Sequence, residues 1–147
     1  MRTLKKIAAL LAFAAIPASL LGQTLKSPDG NLTMKFSLTQ SGIPQYQLDF
    51  KGREVIRPSR LGFEIKKGKH LKDKFEVVSV DTLSFDETWR PVWGEEAEIR
   101  NNYKEMLVNL RQKDTDRLMS VRFRLFDDGL GFRYEFPMQK KLSYFVV

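Results

Sequence analysis

The chain has 147 residues and a formal net charge of +7, with 42% hydrophobic and 29% charged residues. This length and composition suit one domain with a single hydrophobic core and argue against a wholly disordered chain. The sequence has no cysteine, which excludes disulfides and thiolate metal sites. Its single histidine, His70, excludes a metal site built on several imidazoles and is interpreted as a solvated loop residue.

Residues 1–22 have the pattern of a secretory signal peptide, in which basic residues at positions 2, 5 and 6 precede an apolar run. The run is too short and wrongly flanked for a membrane span. We expect cleavage near Gly22, with the Ala18–Ser19 bond as an alternative. No cysteine follows, so we predict a soluble periplasmic product without a lipid or membrane anchor. Its charge of +4 is dispersed and gives no case for nucleic-acid binding.

From Gln23 onward, the sequence predicts β-strands separated by turns. Apolar residues alternate with polar ones in four segments, at 32–38, 45–50, 61–65 and 75–89. The segments SPDGN and KGRE, which begin at Ser27 and Lys51, have turn composition. The lysine-rich segment 66–74 is predicted to be a solvated loop.

The next segment allows two interpretations. Its Glu, Ala, Met and Leu content makes a helix possible from Glu95 to Leu110. The regular alternation of Met106, Val108 and Leu110 instead favours a strand from Tyr103, and this is the prediction we prefer.

The clearest element is a β-hairpin from Val121 to Phe136 around an Asp-Asp-Gly turn. Its arginines at 122, 124 and 133 are expected on the face opposite the apolar residues, with cross-strand partners such as Glu135. Many strands at short spacing, with no βαβ unit, predict an all-β fold of the antiparallel β-sandwich type. The apolar run that ends at Val147 predicts that the domain continues further.

The stretch DETWRPVWGEE, from Asp86 to Glu96, contains both tryptophans and two adjacent glutamates, Glu95 and Glu96. Glycoside hydrolysis needs two carboxyl groups on opposite sides of one bond, about 5–10 Å apart. Adjacent residues of a strand point to opposite faces, so this pair would not converge on one bond. A pair of Glu95 with Asp86 or Glu98 is possible, but no pattern selects it, and we predict no catalytic residue in this chain.

The two tryptophans have a second interpretation. Trp89 and Trp93 share parity, so an extended segment would show both indoles on one face. Stacked indoles suit the apolar faces of sugars, although tryptophans in a sandwich more often anchor a core or an interface. A core or domain-interface role is therefore favoured, and sugar contact stays open.

Four segments resemble the N-terminal domain of glycoside hydrolase family 97, and the resemblance spans residues 23–147. They are SPDGNLTMKF from Ser27, SRLGFEI from Ser59, FDETWRPVWGEEAEIRNNYKEM from Phe85 and VRFRLFDDGLGFRYEFP from Val121. The family comprises secreted periplasmic α-glucosidases and α-galactosidases with an N-terminal β-super-sandwich, a central (β/α)8 barrel and a C-terminal β-domain. The resemblance implies that the catalytic carboxylates lie in a barrel absent from this chain. It implies the same for any calcium ion, so no cofactor is expected here.

The resemblance also implies a function. The chain would be a supporting domain, inactive alone, that packs on the barrel and helps shape a pocket for an oligosaccharide. One wall of that pocket, or the domain interface, is expected to include Trp89, Trp93, Glu95, Glu96, Asn101 and Tyr103, with Asn102 beside them. Two alternatives are a stand-alone carbohydrate-binding module and a nonfunctional remnant of a broken gene.

Overall fold

The computed structural model describes residues 22–142. The predicted signal peptide up to Leu21 and the apolar run at 143–147 lie outside the described residues. The described part forms two four-stranded antiparallel sheets, which confirms the predicted all-β sandwich. The strands are β1 (Gln23–Lys26), β2 (Leu32–Leu38), β3 (Pro44–Phe50), β4 (Arg53–Arg60), β5 (Phe75–Trp89), β6 (Ile99–Gln112), β7 (Arg117–Leu125) and β8 (Leu130–Glu135). In this part of the chain, no helix has the length and apolar character needed to cross a membrane.

The first sheet has the strand order β1-β2-β3-β4. Leu32, Met34 and Phe36 alternate into the core from β2, as the sequence pattern predicts. The predicted turn after β3 is confirmed: Lys51 and Gly52 both take positive φ, at 48° and 77°. Two consecutive residues with positive φ make the tight hairpin turn whose twist matches the flanking strands.

The second sheet has the strand order β5-β6-β7-β8, and its first hairpin is the longest. β6 begins at Ile99, so the helical alternative from Glu95 is wrong and the strand starts four residues before the predicted Tyr103. The pairing of β5 with β6 shifts between Val77 and Ser79, which leaves Val78 as a bulge. This extra residue exchanges the two faces of β5 for the rest of the strand.

The core lies between the two sheets. Met34, Val108, Val121 and Phe123 are fully buried, and the rings of Phe36 and Phe123 meet across the sheets at 6.0 Å. The predicted β7–β8 hairpin is confirmed, including its arginine face with Glu135 as a cross-strand partner.

The loop between β4 and β5 differs from the sequence prediction. The alternation at 61–65 does not continue as a strand, because only an isolated bridge joins Phe63 to Leu71. Leu71 is fully buried, although it lies within the segment predicted to be a solvated loop. His70 is exposed, as predicted, and its Nδ1 accepts the Ile65 N–H at 3.0 Å.

Two buried polar side chains hold this loop. Gln112 donates to the carbonyls of His70 and Asp73 at 2.9 and 3.1 Å. Arg117 donates to the carbonyls of Lys69 and His70 at 2.8 and 3.2 Å, and burial lowers its pKa. Loop carbonyls that would otherwise be unpaired are thereby satisfied.

Candidate functional site

The part of the β5–β6 hairpin from residue 83 to 104 is here called the arm, and residues 90–98 at its end are the tip. The register pairs Phe85 with Tyr103 and Trp89 with Ile99. Because of the bulge, Leu83, Phe85 and Trp89 lie on the face of the sheet opposite the core, which is also the face of Tyr103 and Ile99. The arm therefore has an apolar outer face, although that face has no covering sheet in the described structure.

The tip and the two strand residues that flank it, Trp89 and Ile99, expose large apolar side chains. The exposed fractions are 89% for Val92 and Trp93, 48% for Trp89 and 38% for Ile99. The core interpretation of the two tryptophans is therefore wrong for the described sandwich. Their predicted alignment in one extended segment is also wrong, because β5 ends at Trp89 and the chain bends at 92–95. Gly94 makes the bend with a φ of 147°.

Two arginine–carboxylate pairs bind the strands of the arm together. Arg90 donates twice to Glu98 Oε1, at 3.0 and 2.8 Å, and closes the base of the tip. Arg100 binds both oxygens of Asp86, at 2.9 and 2.7 Å. The hydrogen bond from Arg100 holds the pKa of Asp86 below its ordinary value. These cross-strand contacts keep the exposed hairpin in a defined shape.

The acidic residues of the tip do not have the environment that acid catalysis requires. Glu95 and Glu96 are exposed in the bend, not in a strand, so the argument from opposite strand faces does not apply to them. Neither forms an ion pair within residues 22–142. A glycosidase acid needs a raised pKa, whereas Asp86 has a lowered one and Glu98 is bound to Arg90.

Asn101 and Tyr103 lie at the base of the arm. Asn101 is partly buried on the outer face, where it pairs with Glu87. Tyr103 is 6% exposed, stacks on Phe85 at 5.1 Å and lies under the Arg124 guanidinium at 4.6 Å. The structure thus brings Trp89, Asn101 and Tyr103 onto one face and leaves Trp93 with the glutamates in the tip. Tyr103 anchors the arm to the sheet.

Sequence reasoning missed Glu105, which is also on the outer face and is 3% exposed. It accepts hydrogen bonds from Arg122 and, at 2.7 Å, from Arg124. Arg122 also binds Glu135, at 2.6 Å. The sequence offers this signal only once the register is known, because the antiparallel pairing of β6 with β7 sets Glu105 opposite Arg124.

These features define a β-sandwich domain that presents a braced, apolar arm. The chain belongs to the N-terminal domain family of glycoside hydrolase family 97: the family described as glycosyl-hydrolase 97 N-terminal matches residues 25–147. It is similar to solved structures of a glycoside hydrolase family 97 enzyme from Pseudoalteromonas sp. strain K8, in complex with panose and with acarbose. Each match has 37% identity and a TM-score of 0.75.

These matches cover 80% of this chain but only 18% of the Pseudoalteromonas chain. The chain therefore spans less than a fifth of the length of that relative, whose larger part lies outside the matched domain. A structure of a beta-arabinopyranosidase matches with 20% identity and a TM-score of 0.71, over the same shares of the two chains, and shows the fold alone. Within residues 22–142, no three acidic or histidine side chains are grouped to hold a metal. Calcium in a full-length enzyme stays a prediction.

Proposed function

We propose that this chain is the supporting domain of a secreted, periplasmic α-glycosidase, and that the arm packs on its catalytic barrel. The exposed apolar end of the arm is the observation that carries this proposal. Trp89, Val92 and Trp93 are all exposed at this end of the hairpin, and a tryptophan side chain can bury about 150–250 Å² in a contact. Large apolar side chains exposed close together in one hairpin are typical of a contact surface.

The chemistry of the tip suits an interface near a sugar pocket. Trp93 supplies an apolar anchor. Glu95 and Glu96, which form no ion pair among the described residues 22–142, supply carboxylates that can accept hydrogen bonds from barrel loops. The complexes of the Pseudoalteromonas relative with panose and acarbose support an oligosaccharide substrate. We propose that the full-length enzyme acts on it as an α-glucosidase or α-galactosidase, as the family resemblance implies. In this proposal, catalysis and any calcium ion belong to the barrel.

The test uses the full-length enzyme with Trp93→Ala in the tip and Val78→Ala as a control. Val78 is 59% exposed at the bulge, far from the tip. We expect Trp93→Ala to lower both the thermal midpoint and kcat/KM, and the control to leave both unchanged. If Trp93→Ala leaves stability and kcat/KM at their wild-type values, the arm is not the interface.

A second function, a stand-alone carbohydrate-binding module, is favoured by the exposed indoles. Both tryptophans of the chain are in the arm, so its tryptophan fluorescence reports on this site alone. Under this alternative, maltooligosaccharides produce a saturable fluorescence change that Trp93→Ala abolishes. The supporting-domain proposal predicts no saturable change for the chain alone. The downstream coding sequence separates the supporting-domain proposal from the module and from a broken gene, because only that proposal requires a barrel in frame.

A further inference from the structure

Charged residues are segregated between the two ends of the sandwich, so the sequence-based expectation of a dispersed charge is wrong for the folded domain. The basic end consists of the loop 61–74, the turn 113–116 and the segment 137–142. The loop contains five lysines against two carboxylates, and the other two segments add three lysines and two aspartates. The opposite end, from Asp86 to Arg100, contains five carboxylates and two arginines. β5 separates the ends by about 45 Å, at about 3.3 Å per residue.

Contacts within the fold hold the basic end together. Lys69 and Lys74 both bind Asp114, at 3.1 Å each, which joins the loop to the turn. Lys141 binds Asp116 at 2.7 Å and joins the third segment to the same turn. With Gln112 and Arg117 fixing the loop backbone, the lysine positions are set by the fold.

Three lysines of this end keep their charge unpaired. Lys66, Lys67 and Lys140 are exposed and have no carboxylate partner among residues 22–142. Met138, close to Lys140 in the chain, is fully exposed at 103%. Lysine ammonium groups are hydrated point charges, which suit a diffuse anionic surface more than the bidentate geometry of a defined phosphate site. Basic residues beside exposed apolar side chains also occur on protein surfaces that lie on a lipid interface.

We propose that the basic end is a docking surface for a bilayer that contains anionic phospholipid. The attraction of one lysine to such a surface corresponds to about a fivefold change in binding, so the three unpaired lysines account for about a hundredfold. The basic end shares no residue with the arm, so this proposal stands or fails independently of the proposed function. Docking here leaves the arm directed away from the bilayer.

A site-specific fluorophore tests this in the whole chain, because the chain has no cysteine of its own. An environment-sensitive dye is attached at Met138→Cys or, as the control, at Val92→Cys in the tip. Vesicles contain either equal parts of phosphatidylcholine and phosphatidylglycerol or phosphatidylcholine alone. We expect a blue shift for the dye at position 138 with the anionic vesicles only, and none for the dye at position 92. The N-terminal apolar segment is common to both proteins, so its own affinity does not produce this difference.

Charge variants of the protein labelled at position 138 complete the test. The triple variant with Lys66→Gln, Lys67→Gln and Lys140→Gln should bind the anionic vesicles about a hundredfold more weakly, as measured by titration of the blue shift. The control variant combines Lys26→Gln, Lys51→Gln and Arg53→Gln and removes the same charge at another place on the surface. Its affinity for the anionic vesicles should fall by less than about fivefold. Any of three results overturns the proposal. Both sets of substitutions could lower the vesicle affinity equally, the dye at position 92 could shift as much as the dye at position 138, or the anionic vesicles could cause no shift. Binding to soluble dextran sulfate without any response to vesicles also overturns it and assigns the surface to soluble polyanions.

Discussion

The buried carboxylate of Glu105 gives the sharpest prediction for stability. Glu105→Gln keeps the shape of the side chain but removes the charge that faces Arg122 and Arg124. Each ion pair at about 4 Å gains about 4 kcal/mol at an effective dielectric of 20. The cost of desolvating the buried carboxylate offsets several kcal/mol of the combined gain from the two pairs. Arg124 is 42% exposed, so solvent screening reduces its share further. We expect a loss of about 2–3 kcal/mol in the free energy of unfolding.

The pH dependence of this loss has a definite sign. Burial alone would raise the pKa of Glu105, but the hydrogen bonds and charges of Arg124 and Arg122 hold it below the ordinary value of 4.5. A lowered pKa in the folded state stabilises the fold above the unfolded value, and this contribution is lost as the pH falls through the folded pKa. The difference between wild type and Glu105→Gln should therefore be full above pH 4.5 and shrink below it.

Urea unfolding followed by circular dichroism measures this difference at several pH values. In a chain of this size, the expected loss lowers the thermal midpoint by about 10 °C. Glu76→Gln is the matched control, since Glu76 and its partner Arg111 are 30% and 50% exposed and an exposed pair contributes at most about 1 kcal/mol. A loss below about 1 kcal/mol for Glu105→Gln at neutral pH, or one that does not change with pH, would refute the reasoning.

Four further variants test other parts of the structure. Gly62 has a φ of 132°, and a Cβ there would lie 2.5 Å from the Leu71 carbonyl oxygen, so Gly62→Ala should cost more than about 2 kcal/mol in urea unfolding. Gly129→Ala, where no atom lies within 4 Å of an added Cβ, should change little. Arg117→Ala leaves loop carbonyls unpaired and should cost about 2–3 kcal/mol, with faster amide exchange in the loop. Trp93→Ala should change the stability of this chain by less than about 0.5 kcal/mol, because the indole is 89% exposed.

Local alternation was sufficient to predict much of the fold. β2 and β5 begin and end where the alternation of apolar residues predicts. The turn at Lys51 and the β7–β8 hairpin follow from the residue types of those segments. The loop at 61–65 shows the limit, because its apolar residues enter the core without sheet pairing. Alternation indicates which side chains are buried. It does not indicate what the backbone of the segment hydrogen-bonds to, because that depends on distant residues such as Gln112.

The candidate site was less predictable than the fold. Composition singled out Trp89 and Trp93, but sequence parity placed them on one face because it assumed an extended chain through Pro91. The strand instead ends at Trp89, and Gly94 turns the chain. The buried position of Glu105 was missed for a different reason: an acidic residue in a strand is expected in solvent unless its cross-strand arginines are known.

The bulge at Val78 connects these observations into one argument about the arm. Without the extra residue, the parity of Phe75 and Val77 would continue to Leu83, Phe85 and Trp89 and direct all of them toward the side of the first sheet. With it, Val80 enters the core and the later apolar residues face away from the sandwich. A strand that only completed a core would have no need of apolar side chains on that outer face. Their presence there, on a hairpin braced by two arginine–carboxylate pairs, is the physical reason to assign the arm a partner outside this sandwich.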